Sequence, residues 1–234
     1  MSKEAASSLE RRSFLGRLNA GAAALAAMFG RGVANAQVRP AATGRWEPLR
    51  HEKDDWLEQL PGKHRLVFDT TNPEGIGLAL LFTNNFMRVN RSDYGLQNSD
   101  LAVVIVVRHR SAPFGYNDAM WAKYSAAIAA HVHYEDPKSK AAPKVNVYNS
   151  GDYGDLAPNR GTTFEALAKQ GVQFAVCANA TRAVAGAITR SVGGNTDAVF
   201  TELTANLVPN GRMVPAGIVA VNRAQERGYS LVSA

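Results

Sequence analysis

The chain predicts an α/β fold with a mostly parallel sheet, and three observations carry that reading. The run Leu101-Ala102-Val103-Val104-Ile105-Val106-Val107 is unbroken, uncharged and rich in β-branched residues, the pattern of a strand buried on both faces. Apolar residues recur at helical spacing on either side of it: Ile76, Ala79, Leu80, Thr83, Phe86 and Met87 before, and Met120, Tyr124, Ala127, Ile128 and His131 after. Strand and helix patterns then alternate along the body, the order that builds a sheet through helical crossovers.

Taken in order, His64 to Asp69 reads as a strand closed by the turn residues Thr70-Thr71-Asn72-Pro73. A helix follows from about Glu74 to Val89. Leu78, Phe82 and Val89 give it a second apolar side, which either a subunit interface or a three-layer core would cover. After the 101–107 strand, a helix spans about Tyr116 to His131. Tyr134 to Gly161 turns polar, with a short candidate strand at Val145 to Tyr148. The capping-box pattern Thr162-x-x-Glu165 opens a helix that stops at Gly171, a fitting C′ glycine. The strand Val172 to Val176 leads into Cys177 and a helix start. Thr196 or Asp197 caps the next helix, which carries Val199, Leu203 and Leu207. Val214 to Val221 and Tyr229 to Val232 read as the last strands, joined by a tight helical connection at Arg223 to Gly228.

The N-terminus has a different grammar. Arg11-Arg12-Ser13-Phe14-Leu15 precedes an Ala/Gly-rich apolar run from Ala20 to Phe29, and Ala34-Asn35-Ala36 supplies a small-x-small cleavage pattern. Together these describe an export signal of the twin-arginine type over residues 1–36, handled by the twin-arginine translocase and leading to the periplasm. The apolar run is too short for a stable membrane span, which takes roughly 20 residues. Residues 37–62, with Pro40, Pro48 and Pro61, read as a tether that packs locally, with a helical turn near Lys53 to Leu60. Residues 63–234 read as one α/β domain.

Charge follows the same division. Residues 1–36 hold five of the 26 Lys/Arg and two of the 20 Asp/Glu, so the formal charge of +6 falls to about +3 without them. No cluster of basic residues interleaved with aromatics remains, which argues against a nucleic-acid partner. The single cysteine, Cys177, cannot form an internal disulfide. It is a buried hydrophobe, a reactive thiol or a link to another chain.

In parallel sheets, ligands sit beyond the carboxyl ends of the strands. Three predicted strands end there in polar groups: Asp69, the Arg108-His109-Arg110 group, and Cys177 with Asn179 just beyond it. A thiol at a strand end, against a helix N-terminus and near cations, is placed to act as a thiolate nucleophile. Arg108-His109-Arg110 either solvates a strand end or contacts an anion or persulfide.

Competing motifs are weaker. His131-x-His133 with Glu135 and Asp136 offers metal-ligand types, but on a helix the two histidines face different sides, so no metal site is assigned. Gly75-x-Gly77 after a strand has Leu80 where a dinucleotide loop needs its third glycine. No Walker loop and no G-x-S-x-G elbow is present, and no cofactor is predicted.

The segment Gly171-Val172-Gln173-Phe174-Ala175-Val176-Cys177-Ala178-Asn179, after its FEALAKQ helix, resembles the cysteine segment of the DsrE/DsrF-like superfamily. Val214-Pro215-Ala216-Gly217-Ile218 and Gln225-Glu226-Arg227-Gly228-Tyr229 resemble that family's closing strand and Q-x-x-G-Y turn. The resemblance runs from about His64 to Val232. It implies a three-layer α/β/α fold around a five-stranded sheet, assembly as a homotrimer or homohexamer, and a sulfur-relay role in which Cys177 carries sulfur as a persulfide between donor and acceptor proteins. The alternative is a non-enzymatic oligomeric ligand-binding or scaffolding protein of the same fold with a structural cysteine.

Overall fold

The computed structural model describes residues 47–234, of which Pro48–Ala234 form one compact unit. The export-signal residues Arg11, Arg12, Ala34 and Ala36 lie outside the described residues.

Five strands form one sheet: β1 (His64–Thr70), β2 (Leu101–Val107), β3 (Gln173–Cys177), β4 (Gly211–Val214) and β5 (Ser230–Ser233). Their spatial order is β4-β3-β2-β1-β5, and every pair is parallel. β2 lies at the centre with all seven residues buried, which is why its sequence shows no polar alternation. Among the described residues, α1 (Trp56–Gln59) precedes the first strand, and six α-helices lie in the connections: α2 (Pro73–Tyr94), α3 (Asp118–Val132), α4 (Phe164–Ala168), α5 (Ala178–Val192), α6 (Thr196–Ala205) and α7 (Gly217–Gln225).

The helices divide between the two faces, giving a three-layer α/β/α architecture. From β1 to β4 the chain steps across the sheet in one direction, and α2 through α6 all pack on the face of Phe68, Val103, Ile105, Val107, Phe174 and Val176. The last connection returns across the whole sheet to β5. Reversing the direction of travel reverses the face a right-handed crossover occupies, so α7 packs on the opposite face, with α1, against Val67, Ala102, Val104, Val106 and Ala175. Successive strands β3 and β4 therefore send their helices to opposite faces, and the switch point falls between Cys177 and its ladder partner Val214.

Local chemistry sets the helix ends. The side chain of Asn72 accepts from the Gly75 amide to start α2, with Pro73 at its first position, and left-handed Gly95 (φ 67°) ends it. Gly77 gives Tyr148 and Pro158 their seat, since a Cβ there would fall 2.9 Å from both. The same contact explains what the polar Tyr134–Gly161 segment does: Tyr148 is fully buried, its hydroxyl donates to the Pro73 carbonyl (2.7 Å), and the segment is clamped to the first turns of α2. The second apolar side of α2 stays near the surface, with Leu78 half-buried and Phe82 exposed.

Several sequence expectations are corrected. Val145 to Tyr148 is not a strand; buried Asn146 donates to the Phe114 and Tyr116 carbonyls and its own side chain caps a 3-10 turn at Val147–Asn149. Val214 to Val221 is not a strand either. β4 ends at Val214 because Pro215 has no amide to donate, and Gly217–Gln225 is helical, burying Ala220, Val221 and Ala224 at helical spacing while Ile218 and Val219 stay exposed. The cap of α4 is Thr163 rather than Thr162, and the cap of α6 is Asn195 rather than Thr196 or Asp197.

Candidate functional site

The carboxyl edge of the sheet brings together three of the residues the sequence singled out. Side chains alternate along a strand, so Asp69 shares the phase of Val67, Arg108 that of Val106 and Cys177 that of Ala175. All three sit at strand ends in phase with the α1/α7 face. Asp69 and Arg108 form a bidentate ion pair, with Nε donating to Oδ1 at 2.7 Å and Nη2 to Oδ2 at 2.8 Å. The stem of Arg108 lies along the first residue of α7: a Cβ at Gly217 would fall 2.6 Å from Arg108 Cβ and 2.9 Å from its Cδ. The hydrogen bonds it donates to Asp69 hold the guanidinium above its ordinary range against the cost of partial burial. The negative charge of Asp69 adds to that effect.

A buried hydroxyl pair fixes this edge. Thr70 Oγ1 donates to the Val106 carbonyl (2.8 Å), and Ser111 Oγ accepts from the Arg108 amide (2.9 Å) while lying 2.9 Å from Thr70 Oγ1. Thr70 and Ser111 are fully buried. They tie the ends of β1 and β2 together and set where Arg108 leaves the sheet. Sequence reading missed both, and it missed Gly217. Thr70 was legible as an inward-phase hydroxyl at a strand end, whereas Ser111 and Gly217 become meaningful only once Arg108 is placed.

Cys177 is the last residue of β3 and the N-cap of α5. Its Sγ accepts from the Ala180 amide at 3.4 Å, and the residue is 6% exposed. The sulfur therefore sits at the N-terminal, positive end of a 15-residue helix. One turn into α5, Thr181 Oγ1 accepts from the hydroxyl of buried Tyr116 (2.9 Å); burial pushes that phenol well above its usual range.

His109, Arg110 and Asn179 do not join this group. All three are exposed and make no side-chain hydrogen bond or ion pair among the described residues. His109 takes a left-handed backbone (φ 56°), which turns the chain into the 3-10 segment His109–Gly115. The metal-type residues also separate. His131 is half-buried in the last turn of α3, His133 is its exposed left-handed cap, and Asp136 is engaged by Tyr153 Oη (2.5 Å) and by the Lys138 and Ser139 amides. Among the described residues, no group of three or more His, Cys, Asp or Glu side chains is arranged to hold a metal. No helix among them is long and apolar enough to cross a membrane.

Three surface depressions have linings that do not include Cys177. Two of about 590 and 460 Å³ flank α3 and share Ala126, Ala141 and Ala142. Another of about 580 Å³ lies between the 50–54 segment and Pro215, Val219 and Arg223.

Fold and edge together define an α/β protein with an all-parallel five-stranded sheet and a lone thiol at its switch point. No family model matches the chain, and no curated protein matches it. Among solved structures it is similar to a protein of unknown function from Methanobacterium thermoautotrophicum, with 15% identity and a TM-score of 0.37, over 74% of this chain and 100% of that one. A likeness of that degree transfers no site.

Proposed function

We propose that the protein is an exported DsrE-like sulfur carrier in which Cys177 accepts sulfane sulfur as a persulfide. The observation that supports it best is the position of Cys177: a thiol at the β3/β4 switch point, with the Ala180 amide on its sulfur and the charge of Arg108 nearby. In the loading step the thiolate attacks a sulfur of an inorganic polysulfide. A new S–S bond forms to Cys177, the neighbouring S–S bond breaks, and its electron pair leaves with the chain-shortened polysulfide. An acceptor thiolate then attacks the outer persulfide sulfur, and the electron pair returns to Cys177. Burial of the thiol favours an inorganic donor, and the added sulfur carries the reactive atom about 2 Å further out, toward an acceptor protein. The twin-arginine signal would bring this chemistry to the periplasm, and the resemblance to trimeric and hexameric relay proteins proposes the same assembly here.

Native mass spectrometry of the mature protein, with and without polysulfide, tests the reading. The expected result is a sulfur-atom mass increment removed by reductant and absent from Cys177→Ser. An unmodified Cys177 under native conditions sinks it. The low exposure of Cys177 favours a second reading, a non-enzymatic binding or scaffolding protein in which the thiol serves only as the cap of α5. Serine caps a helix as well as a thiol does, so Cys177→Ser then leaves assembly and cellular phenotype unchanged.

A further inference from the structure

The Asp69–Arg108 pair carries more chemistry than an ion pair needs. A guanidinium has five N–H donors in a fixed fork. Here Nε and one Nη2 hydrogen are spent on Asp69, and no other side-chain donor bond of Arg108 finds a partner among the described residues. The stem is pinned against Gly217, and the backbone amide is held by Ser111 Oγ, so the fork cannot swing freely. Its side chain is 26% exposed, against 12% for Asp69, so the unspent donors are on the wetter half of the pair. Asp69 is the one carboxylate within ion-pair distance of Arg108 among the described residues. A guanidinium oriented on one edge by a carboxylate, with its other edge unspent and a thiol one rung beyond the Val107–Val176 pair on the neighbouring strand, is a recognition element for a second anion.

We propose that Arg108 is the specificity-determining residue of the Cys177 site, selecting small inorganic sulfur dianions over neutral sulfur compounds, with Asp69 as the positioning residue that fixes its fork. The inference rests on Cys177 being a reacting thiol, as in the carrier reading. Charge selection, however, is measured without any persulfide.

The experiment compares the rates at which intact protein is alkylated by iodoacetate, an anion, and iodoacetamide, its neutral analogue. Each reagent displaces iodide onto the same sulfur, so their ratio isolates charge. The ratio for wild type is expected to exceed that of a neutral blocked cysteine by about tenfold, the effect of one charge-assisted contact. It falls to the blocked cysteine's own ratio in Arg108→Gln and lies between in Arg108→Lys, which keeps the charge but loses the fork. Should Arg108→Gln fail to fold, wild type still decides the matter: thiosulfate should protect Cys177 from iodoacetamide. Equal ratios throughout, with no protection by thiosulfate, overturn the proposal. Sulfur increments from polysulfide alongside equal ratios remove only the anion selection. Skewed ratios without sulfur increments remove the carrier reading and leave the selection standing.

Discussion

The two faces of the sheet are held by different physics. On the α2–α6 face, Phe114 packs against Trp121, Tyr134 and Tyr148 with ring centroids 4.9–5.1 Å apart, and Phe164 meets Phe174 at 4.8 Å. On the α1/α7 face the core is smaller, with Ala102, Ala175, Ala220 and Ala224 packed beside valines, Trp56, Leu57 and Tyr229. There arginines do the holding. Arg65 donates to the Leu57, Glu58 and Leu60 carbonyls at the end of α1, and Arg212 lies 4.4 Å over Trp56. Arg227, its side chain 1% exposed, sits 3.0 Å from Glu58 in a charge contact off the hydrogen-bond line. Burial also pushes the Tyr229 phenol up to about 12 while its hydroxyl donates to the Leu57 carbonyl. One face carries the larger, aromatic core, and the other adds close approach and charge-assisted bonds to a smaller apolar one. The candidate site belongs to the second, where polar strand ends cost least.

The largest test of that contrast is Trp121→Ala, which removes a fully buried ring from the aromatic face. It should cost about 3–5 kcal/mol by urea unfolding, and clearly more than Trp56→Ala on the other face. Next comes Gly217→Ala. Its Cβ collides with the first atoms of the Arg108 side chain rather than with a flexible tip, so a loss of about 1–3 kcal/mol and disruption of the Asp69 pair are expected; unaltered stability would show that α7 shifts freely. Arg65→Met keeps the stem but leaves three carbonyls of the α1 end without their donor. A cost of about 1–2 kcal/mol is expected, with faster hydrogen exchange confined to residues 52–60.

The smallest effect is a pH dependence on the aromatic face. Burial, and then the charges of Arg190, Arg110, His109 and His133, hold His131 below its ordinary 6.5. The unfolded chain therefore binds more protons than the folded one in that range, so stability is present above about 6.5 and declines as pH falls toward the folded value. His131→Gln should flatten that slope. Asp136, depressed by Tyr153 and two amides despite its burial, titrates only below 3.8 and does not confuse the window.

Much of this was legible in the sequence for identifiable reasons. β2 was readable because a central parallel strand is apolar throughout, β1 and β3 because short apolar runs are bounded by turn or cap signals, and α2 and α3 because their stripes repeat at helical spacing. The 214–221 run misled because Val, Ile and Ala in succession suit either a buried strand or a short helix lying on a small-residue face. Only Pro215 marks the boundary, and a proline also suits a strand end. Asp69, Arg108 and Cys177 shared an edge as their strand ends implied. His109, Arg110 and Asn179 did not join them, since adjacency in sequence at a turn says nothing of direction. The Ser111 and Gly217 contacts were unreadable because they depend on where one long side chain lies.

The strand order has a consequence in time. β1 is second from the sheet edge, and its outer ladder is completed by β5, where Val67 waits for Leu231. Closing so long a loop adds little to the equilibrium cost, because loop entropy grows only logarithmically, but non-local pairing of this kind slows folding. Until Ser230–Ser233 arrives, β1 presents a row of unpaired amides and carbonyls, a template for another chain. The interval between emergence of β1 and docking of α7 and β5 is therefore the period in which this edge is open to pairing with another chain.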